Sequence, residues 1–268
     1  MTGKPLEKDE LQQLMDLEDK NINSRTYIGL FGKIVVGVAI IWSIFQIYMS
    51  SIGVMEATKF RAWHLGFLLL FSFIFYPATK KSVGTRRLPT WFDSICITLS
   101  IFVTLYFVIV YDILVRDRAG ENTILDLWVG AIAILLLFEA ARRVVGNALT
   151  LIALFFLAYN FFGAYIPGIL GHYGFSLERI INIMFWGGQG IFGTALGVSA
   201  TYIFIFVLFG AFLKNSGFSD FINDLALTIA GRTAGGPAKV AVFASALMAT
   251  ISGSAVSNVV TTGTVTIP

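Results

Sequence analysis

Long apolar runs without a charged side chain constrain the fold of this chain more than any other feature. Residues 34–54, 62–79 and 94–111 contain no Asp, Glu, Lys or Arg. A helix needs about 20 apolar residues to cross the hydrocarbon core of a bilayer, and these runs come close to that length. Only 13% of the residues are charged, whereas soluble domains carry about a quarter. We therefore expect an all-α polytopic membrane protein embedded in a lipid bilayer.

About six transmembrane helices are predicted. The first three are the charge-free runs, and the fourth is built around residues 127–138 and extends through Val145. The fifth is placed at residues 148–166, because Pro167, Gly168 and Gly171 interrupt the apolar run that follows. The sixth is expected to end at Leu213.

Three further stretches have helical spacing without the length of a span. Residues 175–186 and 218–229 are amphipathic, and each is expected to be either an interfacial helix or an extension of a neighbouring helix into a loop. The pattern leaves both readings open. Residues 6–20 are acidic, with Leu11, Leu14 and Met15 at helical spacing, which predicts a short surface helix.

The loop charges predict the orientation. With a cytoplasmic N-terminus, nine Lys and Arg side chains lie inside and four lie outside, which agrees with the positive-inside rule. The inside set is Lys20, Arg25, Lys33, Lys80, Lys81, Arg86, Arg87, Arg142 and Arg143; the outside set is Lys59, Arg61, Arg116 and Arg118. Four tryptophans suit interface positions, namely Trp63, Trp91, Trp128 and Trp186.

The segment Pro237–Pro268 is apolar with a polar middle at residues 252–258. One continuous helix of that length would be about 48 Å long, against a hydrocarbon core of about 30 Å. A turn at the polar residues would instead make two half-spanning arms, each about 20 Å long, and would bring hydroxyl and amide groups near the bilayer midplane. Gly235-Gly236-Pro237 suits the start of the first arm, since proline is tolerated in the first helical turn. The alternative is a Ser-, Thr- and Gly-rich kink in a packing helix.

This segment resembles the large-subunit membrane domain of tripartite ATP-independent periplasmic (TRAP) transporters. The similarity lies in residues 235–240, GGPAKV, and in residues 250–268, TISGSAVSNVVTTGTVTIP. Residues 209–213, FGAFL, and 216–218, SGF, are similar to the stretch that precedes the family's first hairpin. More narrowly, the chain resembles the fused permease of the TAXI branch, in which a four-helix small-subunit region precedes the large subunit.

The resemblance implies a partial elevator-type transporter fold in three parts. Residues 1–26 would form a cytoplasmic N-terminal segment, and residues 27–146 a four-helix small-subunit-like membrane domain. Residues 147–268 would form the N-terminal part of the transport domain and end in the first re-entrant hairpin. The family continues through more helices and a second, inverted hairpin, so we expect this chain to be a fragment or a truncated reading frame that inserts but does not transport alone.

The resemblance also implies a function, which is ion-gradient-driven import of organic acids by a permease rather than an enzyme. A periplasmic binding protein would deliver the substrate to the bacterial or archaeal cytoplasmic (inner) membrane. Na⁺ is the common coupling ion and no other cofactor is expected, although proton coupling stays open. Ser254 and Asn258 are the expected ion or substrate contacts. The implied binding residues are Ser252, Gly253, Ser254, Ser257, Asn258, Thr261, Thr262 and Gly263, with Gly235, Gly236 and Pro237 at the start of the hairpin.

Other chemistry has little support in the sequence. Cys96 is the only cysteine, so we expect it to pack against lipid or core rather than form a disulfide or a thiolate metal site. His64 and His172 lack metal-ligand spacing to acids. Residues 187–190, GGQG, lack a following Lys, which predicts a flexible break rather than a phosphate loop. Nucleic-acid binding is not expected of so apolar a chain.

Two alternative functions are compatible with a polar segment inside a membrane protein. An intramembrane serine hydrolase with Ser252 or Ser254 as nucleophile would need a base, and neither histidine is predicted at midplane depth. A non-transporting membrane scaffold or assembly fragment is the other alternative.

Three further polar residues lie within or at the end of predicted spans. Glu139 is expected to pair with Arg142 and Arg143 rather than to couple protons. Gln46 and Asn160 are expected to bridge helices rather than bind substrate.

Overall fold

The computed structural model describes residues 24–79, 84–118, 120–232 and 234–250. The predicted N-terminal surface helix, residues 6–20, lies outside them. Two compact units are present, one spanning Asn23–Tyr202 and a second whose described part begins at Ile203.

The larger unit is built from helices with one small sheet. In chain order its elements are β1 (Arg25–Tyr27), α1 (Gly29–Ile52), α2 (Ala57–Phe75), β2 (Gly84–Arg86), α3 (Trp91–Arg116), α4 (Ile124–Val144), α5 (Asn147–Phe162), α6 (Leu177–Ile181) and α7 (Thr194–Val198). Short 3₁₀ turns at Gly163–Tyr165 and Gly168–Leu170 follow α5, and π-helical turns continue α6 at Asn182–Trp186 and α7 at Ser199–Ile203.

Within the described residues, five helices are long and apolar enough to cross a membrane. They are α1, α3, α4, Asn147–Tyr165 and Thr194–Leu213. The remaining predicted span corresponds to α2, which has 19 residues but carries Lys59, Arg61 and His64 in its first turns. These polar side chains lower the mean hydropathy of α2, so it is not among the five helices that are apolar enough to cross a membrane. The all-α polytopic membrane fold is confirmed.

Helix boundaries differ most from prediction at α3. The charge-free run covered residues 94–111, but the helix extends from Trp91 to Arg116 and includes Asp93 and Asp112. Both carboxylates are paired, Asp93 with two arginines and Asp112 with Lys59. A membrane helix can include charged residues near its ends when they are paired. The charge-free run therefore predicts only the middle of this helix.

The core of the larger unit lies between α2, α3 and α4. Phe107 on α3 is 1% exposed and packs against Phe185, Trp186 and Phe192, with ring centroids 4.4 to 5.2 Å apart. Cys96 is buried in the same cluster, which confirms its predicted packing role. Gly66 allows α2 and α3 to approach closely, since a Cβ there would lie 2.5 Å from Thr104 Oγ1.

The segment from Leu177 to Trp186 packs its apolar side against protein. Ile180, Ile181, Phe185 and Trp186 are all buried. Trp186 is 4% exposed, and its indole Nε1 donates to the main-chain carbonyl of Asp126, in the first turn of α4, at 3.1 Å. Trp91 and Trp128 are exposed on the surface of the unit.

The small sheet joins the two ends of the α1–α2 pair. Strands β1 and β2 are parallel, with Thr26 opposite Thr85. Tyr27 Oη donates to the carbonyl of Ile74 at 2.9 Å, which holds β1 against the last turn of α2. The main chain before α1 is therefore fixed to the same end of the unit as the start of α3.

The second unit contains α8 (Phe204–Asn215), α9 (Phe218–Ala230) and α10 (Gly236–Ala249). Gly217 lies between α8 and α9 with φ 79°, a left-handed conformation that glycine adopts readily. Helix α9 is therefore a separate helix rather than an extension of the sixth span. The sixth span ends at Leu213, as predicted, and α8 continues two residues further to Asn215.

Candidate functional site

Helix α10 occupies the position predicted for the first arm of the hairpin. Gly235 precedes it with φ 73°, Gly236 is its first residue, and Pro237 lies in its first turn. Proline costs little there, because its missing N–H would have no partner within the helix anyway. The helix has 14 residues and is therefore about 21 Å long, which is less than a full membrane span.

Helices α9 and α10 pack through small and medium-sized side chains. Ala226 and Ala244 are both fully buried between them, and the surrounding buried residues are Ile222, Ala230, Val240 and Met248. Small side chains at such positions let helix backbones approach closely. Large apolar residues cover the outside of the pair instead, with Phe221, Ile229, Val242 and Phe243 all exposed. The outside of the pair is mixed, because Asp220 and Asp224 of α9 are exposed as well.

The predicted tip follows directly after α10. The helix ends at Ala249, and Thr250 Oγ1 donates to the carbonyl of Leu247 at 2.6 Å. The tip residues themselves lie outside the described residues, namely Ser252, Gly253, Ser254, Ser257, Asn258, Thr261, Thr262 and Gly263. The structure thus brings the chain to the end of the first arm, with Ser252 two residues further on.

A buried ion-pair cluster joins the start of α3 to the end of α4. Asp93 accepts hydrogen bonds from Arg25 Nη1 and from Arg143 Nη1, each at 2.6 Å, and all three side chains are fully buried. Thr90 Oγ1 also donates to Asp93. Arg143 donates in addition to Glu139 and to the carbonyl of Tyr76. The cluster therefore connects β1, α3 and α4 and also reaches the chain just past α2.

A second buried carboxylate lies at the other end of the same two helices. Asp126 accepts from Tyr106 Oη at 2.6 Å and from Arg118 Nη1 at 2.9 Å, and it forms a capping box with Thr123 at the start of α4. Asp126 is fully buried, whereas Arg118 is partly exposed. The ends of α3 and α4 are thus joined by one buried acid on each side of the predicted membrane.

Sequence reasoning did not single out Asp93 or Asp126 as paired residues. The available signal was the repeated pattern Thr-x-x-Asp, at Thr90 to Asp93 and at Thr123 to Asp126, which is typical of a helix start. It predicts the helix boundary but not the arginine partners, because those come from distant parts of the chain.

A third polar group joins α1 and α2 to the π-helical turn. Gln46 Nε2 donates to the carbonyl of Ala200, His64 Nε2 lies 3.1 Å from Ser199 Oγ, and Arg61 Nη1 donates to the carbonyl of Phe192 at 2.7 Å. Gln46, His64 and Ala200 are each at most 1% exposed. A π-helical turn leaves main-chain groups without their usual helical partners, and a nearby side chain can satisfy them.

Glu139, Gln46 and Asn160 were each predicted to contact other protein groups. Glu139 accepts from Arg142 and Arg143, so its predicted ion pairing is confirmed. Gln46 bridges helices as predicted. The side chain of Asn160 forms no such bridge among the described residues, since its Nδ2 donates to the carbonyl of Phe156 one turn earlier in α5. Within the residues that the structure describes, no three His, Cys, Asp or Glu side chains form a cluster that could hold a metal ion.

A family model described as "Tripartite ATP-independent periplasmic transporter, DctM component" matches residues 132–268, slightly more than half of the chain. The chain belongs to this TRAP transporter family. No curated protein and no solved structure matches this chain. The family is one of transporters rather than enzymes, and the chain is a TRAP transporter membrane component.

The match begins within α4 and includes every element from α5 to α10. The predicted hairpin of this TRAP component therefore lies inside the matched region. Two of the polar groups connect the matched region to residues that precede it. Arg143, inside the match, donates to Asp93, which lies before residue 132. Gln46, before residue 132, donates to the carbonyl of Ala200 inside the match. The helices before residue 132 are joined to the matched part by buried polar contacts.

Proposed function

We propose that this chain is the permease component of a secondary active importer that takes organic acids from a periplasmic binding protein. The proposal places it in the cytoplasmic (inner) membrane of a bacterium or archaeon, as a fused permease of the TAXI type. The observation that carries the proposal is that α10, shorter than a span, ends directly before the polar residues 252–258 and does so within the matched region. This is the arrangement expected of a re-entrant arm that delivers polar groups into the membrane.

The end of α10 favours a cation. The C-terminal end of a helix carries a partial charge of about −0.5, and the carbonyls of Leu247 and Met248 at the end of α10 accept from Thr250. Oxygen atoms of this kind are hard ligands that suit Na⁺. We therefore propose that Ser254 and Asn258 contribute to a Na⁺ or substrate site at the tip, with Ser252, Gly253, Ser257, Thr261, Thr262 and Gly263 around it. Coupling to protons is the competing proposal.

The distribution of arginines supports a cytoplasmic N-terminus. Arg25 and Arg143 lie together at one end of the larger unit, in the Asp93 cluster, while Arg118 pairs with Asp126 at the other end. The first end also contains more Lys and Arg in the sequence, and the positive-inside rule assigns that end to the cytoplasm. We propose that α10 then enters from the cytoplasmic side.

Uptake into proteoliposomes tests the proposal. The permease, at the full length its gene encodes, is reconstituted with its binding protein and offered labelled dicarboxylates and amino acids. We expect accumulation only under an inward Na⁺ gradient, and loss of accumulation in Ser254→Ala and Asn258→Ala. Ser51→Ala is the matched control, because Ser51 is an exposed hydroxyl bonded only to its own helix, and it should transport normally.

Three other outcomes of the uptake experiment would change or contradict the proposal. Accumulation under a proton gradient alone would replace Na⁺ by H⁺ in the proposal. Equilibration without any gradient would contradict secondary active transport. Insertion without uptake of any offered acid, by wild type and variants alike, would favour the scaffold alternative.

A further inference from the structure

An exposed apolar groove lies beside the start of α1, away from the hairpin. It is formed by Ile28, Leu30, Phe31 and Ile34 on one side and by Arg87 and Leu88 on the other, with a volume of about 560 Å³. Leu30 and Leu88 are 76% and 66% exposed. The hydrogen bond from Ile28 N to Arg86 O fixes the two walls relative to each other, since it continues the pairing of β1 with β2.

The rim of the groove is cationic. Arg87 lines the groove. Arg86, at the end of β2, precedes it in the sequence, and Lys33 lies near the start of α1. None of these three side chains forms an ion pair with any residue that the structure describes. The acid at the start of α3, Asp93, is already shared by Arg25 and Arg143 and is fully buried. Among the described residues, therefore, no carboxylate neutralises the positive charge of the rim.

The rest of the groove is suited to hydrocarbon. Its walls are aliphatic and aromatic side chains, and α1 has no acidic residue in its first turn and no side-chain cap, so its first main-chain N–H groups also face this end. An occupant must combine a negatively charged group with an apolar chain. A volume of a few hundred Å³ is in the range of sites that hold a ligand of that size.

We propose that this groove binds an anionic phospholipid, with the phosphodiester at Arg87 and the upper acyl chain along Ile34 and Leu88. Arginine binds phosphate oxygens in a fixed geometry, which lysine does not reproduce. The cytoplasmic leaflet is negatively charged and attracts basic groups next to transmembrane helices, and the groove lies at the end proposed above to be cytoplasmic. The lipid site is separate from transport, and the orientation is the only part of the proposed function on which it draws.

Lipid retention tests the site without substrate or gradient. The full chain is purified in mild detergent from vesicles with equal amounts of phosphatidylglycerol and phosphatidylcholine, and the bound lipid is measured by native mass spectrometry. We expect selective retention of phosphatidylglycerol, reduced about fivefold in Arg87→Ala and less in Arg87→Lys. Arg116→Ala is the control. Arg116 is also exposed, but it lies at the end of α3 that is far from Arg87. This variant should retain as much phosphatidylglycerol as the wild type. Equal retention of both lipids, or no effect of Arg87→Ala, would overturn the proposal.

The occupant is identified by cross-linking. With benzoylphenylalanine in place of Leu88 in the full chain, irradiation in the same vesicles should give a product whose added mass is that of phosphatidylglycerol. A cross-link to residues 1–22, or to a second copy of the chain, would assign the groove to a protein segment and reject the lipid. Displacement of the lipid by millimolar glycerol phosphate would show that the site takes free phosphate instead.

Discussion

Arg143 donates to Asp93 at 2.6 Å, and this contact joins the last turn of α4 to the first turn of α3 with both side chains fully buried. The same carboxylate also accepts from Arg25, so two guanidinium groups share one acid. The arrangement is stable because each buried charge has a hydrogen-bonded partner, and removal of the shared acid would leave both arginines without it.

Asp93→Ala should therefore destabilise the larger unit strongly. Breaking a buried pair by removing one partner typically costs about 3–5 kcal/mol, because the remaining charge stays buried. The loss is measured as a shift in the thermal unfolding midpoint of detergent-purified protein. Asp112→Ala is the matched control on the same helix, since its pair with Lys59 is partly exposed, and it should cost about 0–1 kcal/mol. Equal losses in the two variants would contradict the assigned role of Asp93.

Gly66→Ala should weaken the packing of α2 on α3. The new Cβ would lie 2.5 Å from Thr104 Oγ1 and 2.6 Å from its Cγ2, so one helix has to move. We expect a loss of about 1–3 kcal/mol in unfolding free energy, partly restored by a second change, Thr104→Ala. Gly37→Ala on α1 is the control, because nothing lies within 4 Å of its Cβ, and it should be neutral or slightly stabilising. A destabilised Gly37→Ala, or no rescue by Thr104→Ala, would count against this packing.

Ala244→Leu should disrupt the contact between α9 and α10. Ala244 is fully buried between the helices, and a larger side chain there forces them apart. We expect lower uptake and faster proteolysis of this unit, whereas Ala246→Leu on the exposed side of the same helix should leave both unchanged. Identical behaviour of the two variants would show that the helices do not pack through this face.

Gln46→Met should loosen the contact between α1 and the π-helical turn. The substitution removes the hydrogen bond to the carbonyl of Ala200, and it also removes Gln46 Oε1, which is buried without a partner among the described residues. These effects oppose each other, so we expect a loss of only about 1 kcal/mol, measured by thermal unfolding. Ser43→Ala, whose hydroxyl bonds within its own helix, should change stability by less than about 0.5 kcal/mol. A loss as large as that of Asp93→Ala would show that Gln46 has a further role.

Cysteine labelling tests the proposed orientation. In a Cys96→Ala background, Glu121→Cys should react with a membrane-impermeant maleimide in intact cells, because Glu121 lies in the loop assigned to the outside. Ser216→Cys, in the turn between α8 and α9, should react only after the membrane is permeabilised. Both positions are exposed in the structure. The reverse pattern would invert the orientation and place the N-terminus outside.

The sequence alone was sufficient to predict the membrane class, the approximate spans and the start of a helix at Gly235-Gly236-Pro237. Apolar length and glycine–proline spacing are local properties, and helices that satisfy their own main-chain hydrogen bonds follow from them in a membrane. Even the longer α3 has a local explanation, since Thr90 and Asp93 together are typical of a helix start.

Only the tertiary structure decided which polar groups meet. Arg25 and Arg143 converge on Asp93 from distant parts of the chain, and Trp186 lies in the core with its indole donating to the carbonyl of Asp126. A hydropathy pattern assigns depth and helical face but not neighbours. Partner choice depends on how α2, α3 and α4 pack, and that packing is set by contacts between residues that are far apart in the sequence.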